Sequence, residues 1–161
     1  MAKKKKMPPQ QPSVEPRQKP EPAAGGLSFF ERPWLPELTL AAATIIVFGA
    51  SVSNGFVFFD DDKAILYNRA LQNPSLGTFF SGQNLGMYAP FTWLAYWLGS
   101  MISEKEAWGY HLLGLALHAL NAVLVFTFLR RLTGRHWAAF FAALLFAVHP
   151  MQVEAVSWAA A

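Results

Sequence analysis

Asn54-Gly55-Phe56-Val57-Phe58-Phe59-Asp60-Asp61-Asp62-Lys63 sets three consecutive carboxylates directly after a long apolar segment. A carboxylate in hydrocarbon is costly, so the cluster belongs just outside a bilayer, where a membrane helix emerges. Upstream, no charge interrupts residues 38–59. At about 1.5 Å per residue, that run is long enough to cross a hydrocarbon core of about 30 Å. Which side of the membrane the carboxylates occupy, and what meets them there, has to be read from the remaining residues.

The composition fits this start. The chain has 161 residues, 53% of them hydrophobic, and they come in blocks rather than dispersed with the period of a soluble core. The basic residues behind the net charge of +3 gather in a tail with no interleaved aromatics, so a nucleic-acid-binding reading is weak and no nucleic-acid partner is expected. There is no cysteine, hence no disulfide and no thiolate metal site.

Residues 1–33 are rich in Pro, Gln, Lys and Glu and have little to bury, so they read as a disordered, basic, cytoplasmic tail. Phe29, Phe30 and Trp34 suit an interfacial anchor. A signal peptide cleaved near Ala50-Ser51-Val52-Ser53 fits poorly, because the polar lead is too long for an n-region. Residues 34–161 form a transmembrane module with spans at about 36–58, 110–130 and 136–150 and an outer loop over 60–109. Within that loop, residues 62–71 predict a short amphipathic helix with Asp62 as N-cap, stopped by Asn73-Pro74. Residues 75–83 predict a second short helix. Residues 87–102 are uncharged and aromatic but too short to span, which suits an interfacial helix. The fold class is therefore an all-α membrane protein with three transmembrane helices plus short interfacial helices.

The positive-inside rule orients it. Lys3 to Lys6, Arg17, Lys19 and Arg32 lie in the tail, and Arg130, Arg131 and Arg135 in the turn between the last two spans. Both are placed in the cytoplasm, so the N-terminus is cytoplasmic. Residues 60–109 and the chain from His149 onward then share the outer face. Asp60, Asp61 and Asp62 meet His149 and Glu154 there, as at a site that draws one substrate from lipid and one from water.

Each residue has a plainer reading. The Asp triplet can be a solvated helix cap. It can instead supply a general base tuned by its neighbour, or bind a divalent cation through oxygen ligands. His111 and His118 are seven apart on one span, and helix packing with interhelical hydrogen bonding explains them better than a metal site. His149-Pro150 can simply end a helix, and Glu154 can sit at the headgroups.

Five elements resemble the membrane glycosyltransferases of the C-type fold. The likeness is to the group related to protein O-mannosyltransferases that often carries C-terminal tetratricopeptide repeats. The elements are Gly55-Phe56-Val57-Phe58-Phe59-Asp60-Asp61 with Ala64-Ile65; Tyr88-Ala89-Pro90-Phe91-Thr92-Trp93; Tyr110-His111-Leu112; Leu117-His118; and Leu145-Phe146-Ala147-Val148-His149-Pro150 with Glu154-Ala155-Val156. The resemblance covers residues 54–158, nearly all of the chain after the tail. It implies the N-terminal part of an inverting, multi-pass hexosyltransferase that takes its sugar from a polyprenyl-phosphate donor and passes it to a protein or glycan acceptor. By the same resemblance Asp61, then Asp60, is the catalytic base or positions the acceptor hydroxyl. His149, Glu154 and Tyr88 bind substrate. No metal ligand is implied, although a divalent cation can accompany the carboxylates. Two residues depart from the pattern: Ala89 stands where many relatives have Arg, and Gly114 where they often have Asn. The chain is short for such an enzyme. It reads as a fragment, inactive alone, that a further polypeptide completes, and its compact segments suggest a bacterial inner membrane. The alternative is a non-enzymatic multi-pass membrane interaction module.

Overall fold

The computed structural model describes residues 29, 30, 32, 34–81 and 85–160. Most of the expected disordered tail, and the end of the helix expected at Gln83, lie outside these residues. The described chain is helical, with no strand among the elements. It is an all-α membrane protein.

Helix α1 covers Trp34–Phe48 and tightens into a 3-10 segment over Gly49–Ser53. The two make one apolar run of 20 residues, Trp34–Ser53, about 30 Å long. Its hydroxyls bond within the helix: Thr39 to the Leu35 carbonyl, Thr44 to Leu40, Ser51 to Phe48 and Ser53 to Ala50. Such internal pairing lets polar groups sit in lipid. The span ends at Ser53 rather than near residue 58. Asn54 is extended, at φ −70° and ψ 149°, and Gly55 is a weak helix former. The acidic turn is thus separated from the helix by a non-helical strap.

The expected helix over 62–71 is two pieces. Asp62–Leu66 forms a π-turn, and α2 covers only Arg69–Gln72. Asn68 makes the break. Its side-chain oxygen caps Ala70 N–H at 2.9 Å, and its amide donates to the Ala64 carbonyl at 2.9 Å. The predicted cap Asp62 instead accepts from its neighbour Lys63 N–H at 2.9 Å. Helix α3 covers Leu76–Ser81, with the Ser75 hydroxyl accepting from Thr78 N–H at 3.0 Å. Helix α4, Pro90–Ser103, starts on a proline at its first position. Its 14 residues reach about 21 Å, short of a span.

Helix α5 covers Ala107–Thr133 and is long and apolar enough to cross a membrane. Gly134, in the left-handed region at φ +67°, closes it by donating to the Arg130 carbonyl at 3.0 Å. Helix α6, His136–Val148, is followed by a 3-10 turn at Pro150–Gln152 and by α7, Val153–Ser157. The two parts meet at 48° and make a third span only if the bent pair is one span. Pro150 accounts for the bend, because it cannot donate to the preceding turn.

Helices α1, α5 and α6 pack around Leu40, Ala122, Phe126, Ala139, Phe140, Ala143 and Ala147. The alanines of α6 recur every four residues and let the backbones approach closely, as small residues do in membranes. Phe29 and Phe30 join this core: Phe30 meets Trp137 edge-on at 4.7 Å and Phe29 stacks on the same ring at 6.0 Å. Ile46, Leu124, Phe128 and Leu145 point outward and exposed, as lipid-facing side chains do. At the other end of α5 a second cluster joins Ala64, Ile65, Ala70, Phe79, Trp93, Tyr96, Tyr110 and Ala159. Here α4 lies so close to α5 that a Cβ on Gly99 would stand 2.7 Å from the Tyr110 ring.

Candidate functional site

The strap and the π-turn aim the three carboxylates in three directions. Asp61 turns inward and is 0% exposed. Its Oδ2 accepts from Val57 N–H at 2.8 Å, which folds the strap back on the turn, while its Oδ1 has no hydrogen-bond partner. Asp60 is exposed and its backbone carbonyl accepts from Ala64 N–H at 2.7 Å. Asp62 is half-buried beside Lys63. Among the described residues no three His, Asp or Glu side chains come together as a metal site.

Asp60 opens into a cavity of about 560 Å³. Lys63 and Ala64 line it from the π-turn, Leu85, Met87 and Ala89 from the segment before α4, and Thr92, Trp93 and Tyr96 from α4 itself. Ala160 closes it from the far end of the chain. Trp158 rests on Phe59 at 6.1 Å, and Val156 packs with Phe48 and Leu115. The residues after α7 therefore fold back onto the acidic turn. Most of the wall is apolar, with a few polar groups converging on it, as in small-molecule sites generally.

Two of those polar groups come from α4. Trp93 is 1% exposed and its Nε1–H has no partner. The Tyr96 phenol is pushed up to about 12, first by burial and then by the negative charges of Asp61 and Asp60. It stays protonated at every physiological pH, a neutral O–H donor within electrostatic reach of two carboxylates. His111 of α5 is 2% exposed, beside the Gly55 backbone and within electrostatic reach of Asp61, and neither ring nitrogen makes a well-formed hydrogen bond. Seven residues on, His118 is also buried, but it bonds to the Ala147 carbonyl at 3.0 Å. The interhelical bonding read from the sequence holds for His118 and not for His111.

Of the five site residues named from the sequence, Asp60 faces the cavity and Asp61 is buried against the strap. Tyr88 is exposed, its hydroxyl 3.4 Å from the Phe80 carbonyl, with its neighbours Met87 and Ala89 lining the wall in its place. His149 caps the turn after α6, its Nδ1 accepting from Met151 N–H at 3.1 Å. Glu154 is exposed on α7. Neither His149 nor Glu154 is among the described lining residues. Lys63, Trp93, Tyr96 and His111 were missed as site residues. Trp93, Tyr96, Gly99 and Ser103 recur at helical spacing on the buried face of α4, a pattern that could have exposed the first two.

No family model matches the chain, and no solved structure does. Curated proteins do. Over 133 residues the chain is 35% identical to protein O-mannosyl-transferase TMTC3 of Mus musculus, covering 75% of this chain and 14% of that protein. The human protein of the same name is 36% identical over 135 residues, covering 76% and 14%. Protein O-mannosyl-transferase Tmtc2 of Drosophila melanogaster is 32% identical over 133 residues, covering 74% and 14%. This chain is a relative of the protein O-mannosyl-transferases. It spans about a seventh of the length of the protein O-mannosyl-transferases it matches.

Proposed function

We propose that the chain is the N-terminal, acidic-loop part of a C-type-fold membrane glycosyltransferase. In this reading it helps transfer a hexose, mannose by the names of its relatives, from a polyprenyl-phosphate donor to a protein hydroxyl. The observation that carries the reading is the exposed Asp60 carboxylate opening into a 560 Å³ cavity lined by Trp93 and Tyr96. Asp60, rather than the buried Asp61, would meet the acceptor. Its carboxylate takes the hydroxyl proton as the oxygen attacks the anomeric carbon. The bond from that carbon to the phosphate oxygen breaks, the configuration inverts, and polyprenyl phosphate leaves. Lys63 supplies a positive charge beside the leaving phosphate, and Trp93 and Tyr96 supply neutral donors to sugar or phosphate oxygens. Asp61 holds the turn that presents Asp60.

The basic residues support a topology with the tail and the turn between α5 and α6 in the cytoplasm and the cavity outside. The bacterial inner membrane suggested by the sequence finds no support in the relatives named above, which are eukaryotic. A photoactivatable polyprenyl-phosphate mannose, applied to membranes containing the chain, tests the reading. Label is expected on peptides of residues 60–64 and 85–96, competed by unlabelled donor and reduced in Lys63→Ala. If no label is competed, donor binding is excluded and a non-enzymatic membrane interaction module takes its place.

A further inference from the structure

Asp61 and His111 are the two most deeply buried ionisable side chains around the acidic turn, and both carry unpaired polar atoms there. They come from different elements. Asp61 ends the strap, and His111 sits one turn into α5. The strap brings them together: Phe56 packs against Tyr110, the residue before His111, with ring centroids 5.6 Å apart. The His111 ring lies beside the Gly55 backbone and within electrostatic reach of Asp61. A buried carboxylate oxygen left without a donor is strongly unfavourable, and so is a buried imidazole N–H without an acceptor. Asp61 Oδ1 therefore lacks a donor within electrostatic reach of an imidazole that is itself without a well-formed hydrogen bond.

We propose that His111 is the positioning residue of the acidic turn. An imidazole N–H supplies the hydrogen bond that Asp61 Oδ1 requires, directly or through one water molecule. Asp61 is then held at both oxygens, by Val57 N–H on one side and by His111 on the other. A carboxylate fixed at both ends holds the peptide before it, and so sets the direction in which Asp60 enters the cavity. His111 touches neither substrate in this arrangement. The role rests on the glycosyl-transfer reading only for its consequence, because the hydrogen bond can be detected without any turnover.

Nitrogen-15 histidine spectra of the whole chain in lipid nanodiscs test it. A downfield ring N–H assigned to His111 is expected, moving upfield or lost in Asp61→Asn and unmoved in Asp60→Asn. Asparagine keeps one acceptor oxygen for Val57 and puts an NH2 donor in place of Oδ1, so the turn should remain folded while the bond from His111 is lost. A second measurement does not depend on that variant. The chain has no cysteine, so Asp60→Cys carries the only thiol, and its reaction with an impermeant maleimide reports where residue 60 points. His111→Leu should change that rate by about tenfold through altered access, and His111→Gln, which keeps an N–H donor, should restore it. A His111 resonance indifferent to Asp61, or equal maleimide rates in the Leu and Gln variants, would overturn the proposal. Donor photolabelling on the same variants separates the two ideas. Loss of competed label with the resonance intact removes the glycosyl-transfer reading and leaves the positioning role standing.

Discussion

The seam between α5 and α6 and the acidic turn are both buried, yet they treat their polar groups in opposite ways. In the seam, alanines and phenylalanines fill the space, and the one buried imidazole, His118, is paired with the Ala147 carbonyl. Around the acidic turn, Asp61 Oδ1, Trp93 Nε1, both nitrogens of His111 and Trp158 Nε1 are buried without partners. Among the described residues only Glu37 Oε2 shares that condition elsewhere. Folding alone does not reward unpaired buried polar atoms. One end of the bundle is built for packing, and the other keeps hydrogen-bonding capacity in reserve, which is what a binding site needs.

The sharpest way to break that comparison is at Asp60. In membranes that support mannosyl transfer, Asp60→Asn should slow the reaction by about 10²–10⁴-fold, the usual worth of a general base. Donor photolabelling and folding should be retained. Asp62→Asn should leave transfer near wild type, and equal losses from both would mean that the triplet acts only through its charge.

Overpacking the seam should have a smaller and purely structural effect. Ala143 is fully buried between the helices, so Ala143→Leu should destabilise by about 1–3 kcal/mol, read as a lower thermal midpoint in detergent. The rate of thiol labelling at position 60 should not change. His118→Leu should cost less still, about 0.6 kcal/mol and at most about 1.7, the range for hydrogen bonds between membrane helices. Were His118→Leu to abolish donor labelling while His111→Leu spared it, the division of labour along α5 would be reversed.

The smallest effect at neutral pH concerns Tyr96, and it grows with alkalinity. A phenol raised to about 12 in the folded chain, against 10.0 otherwise, favours the protonated native state. That contribution is fully present below pH 10 and is lost as pH rises toward 12. Absorbance titration of tyrosinate should show a late-ionising group that disappears in Tyr96→Phe. The variant should also lose less stability over that pH range than the parent does.

Much of the fold was legible because lipid imposes strong rules. Uncharged runs marked α1 and α5, Arg130 and Arg131 marked an end, Asn73-Pro74 stopped a helix, and Pro90 began one. The short uncharged segment at α4 folds as a single helix of 14 residues, below the length of a span. Boundaries set by competition were harder. The first span stops at Ser53 because the strap beyond it pairs with Asp61, and the loop helix breaks at Asn68 because that side chain bonds in both directions. Neither outcome follows from hydropathy.

The site shows the same division. Apolar blocks and clustered charge determined, from the sequence by itself, that carboxylates stand at the end of a membrane helix and that this is where chemistry would be sought. Burying charge in hydrocarbon is costly enough to settle that one residue at a time. Only the tertiary structure decided which carboxylate faces the cavity and which is turned away, that Trp93, Tyr96 and Ala160 complete the wall, and that His111 rather than His149 lies within electrostatic reach of Asp61. Those choices depend on how strap, π-turn, α4 and the end of the chain pack together, and adjacent aspartates in a turn carry no mark of their own direction.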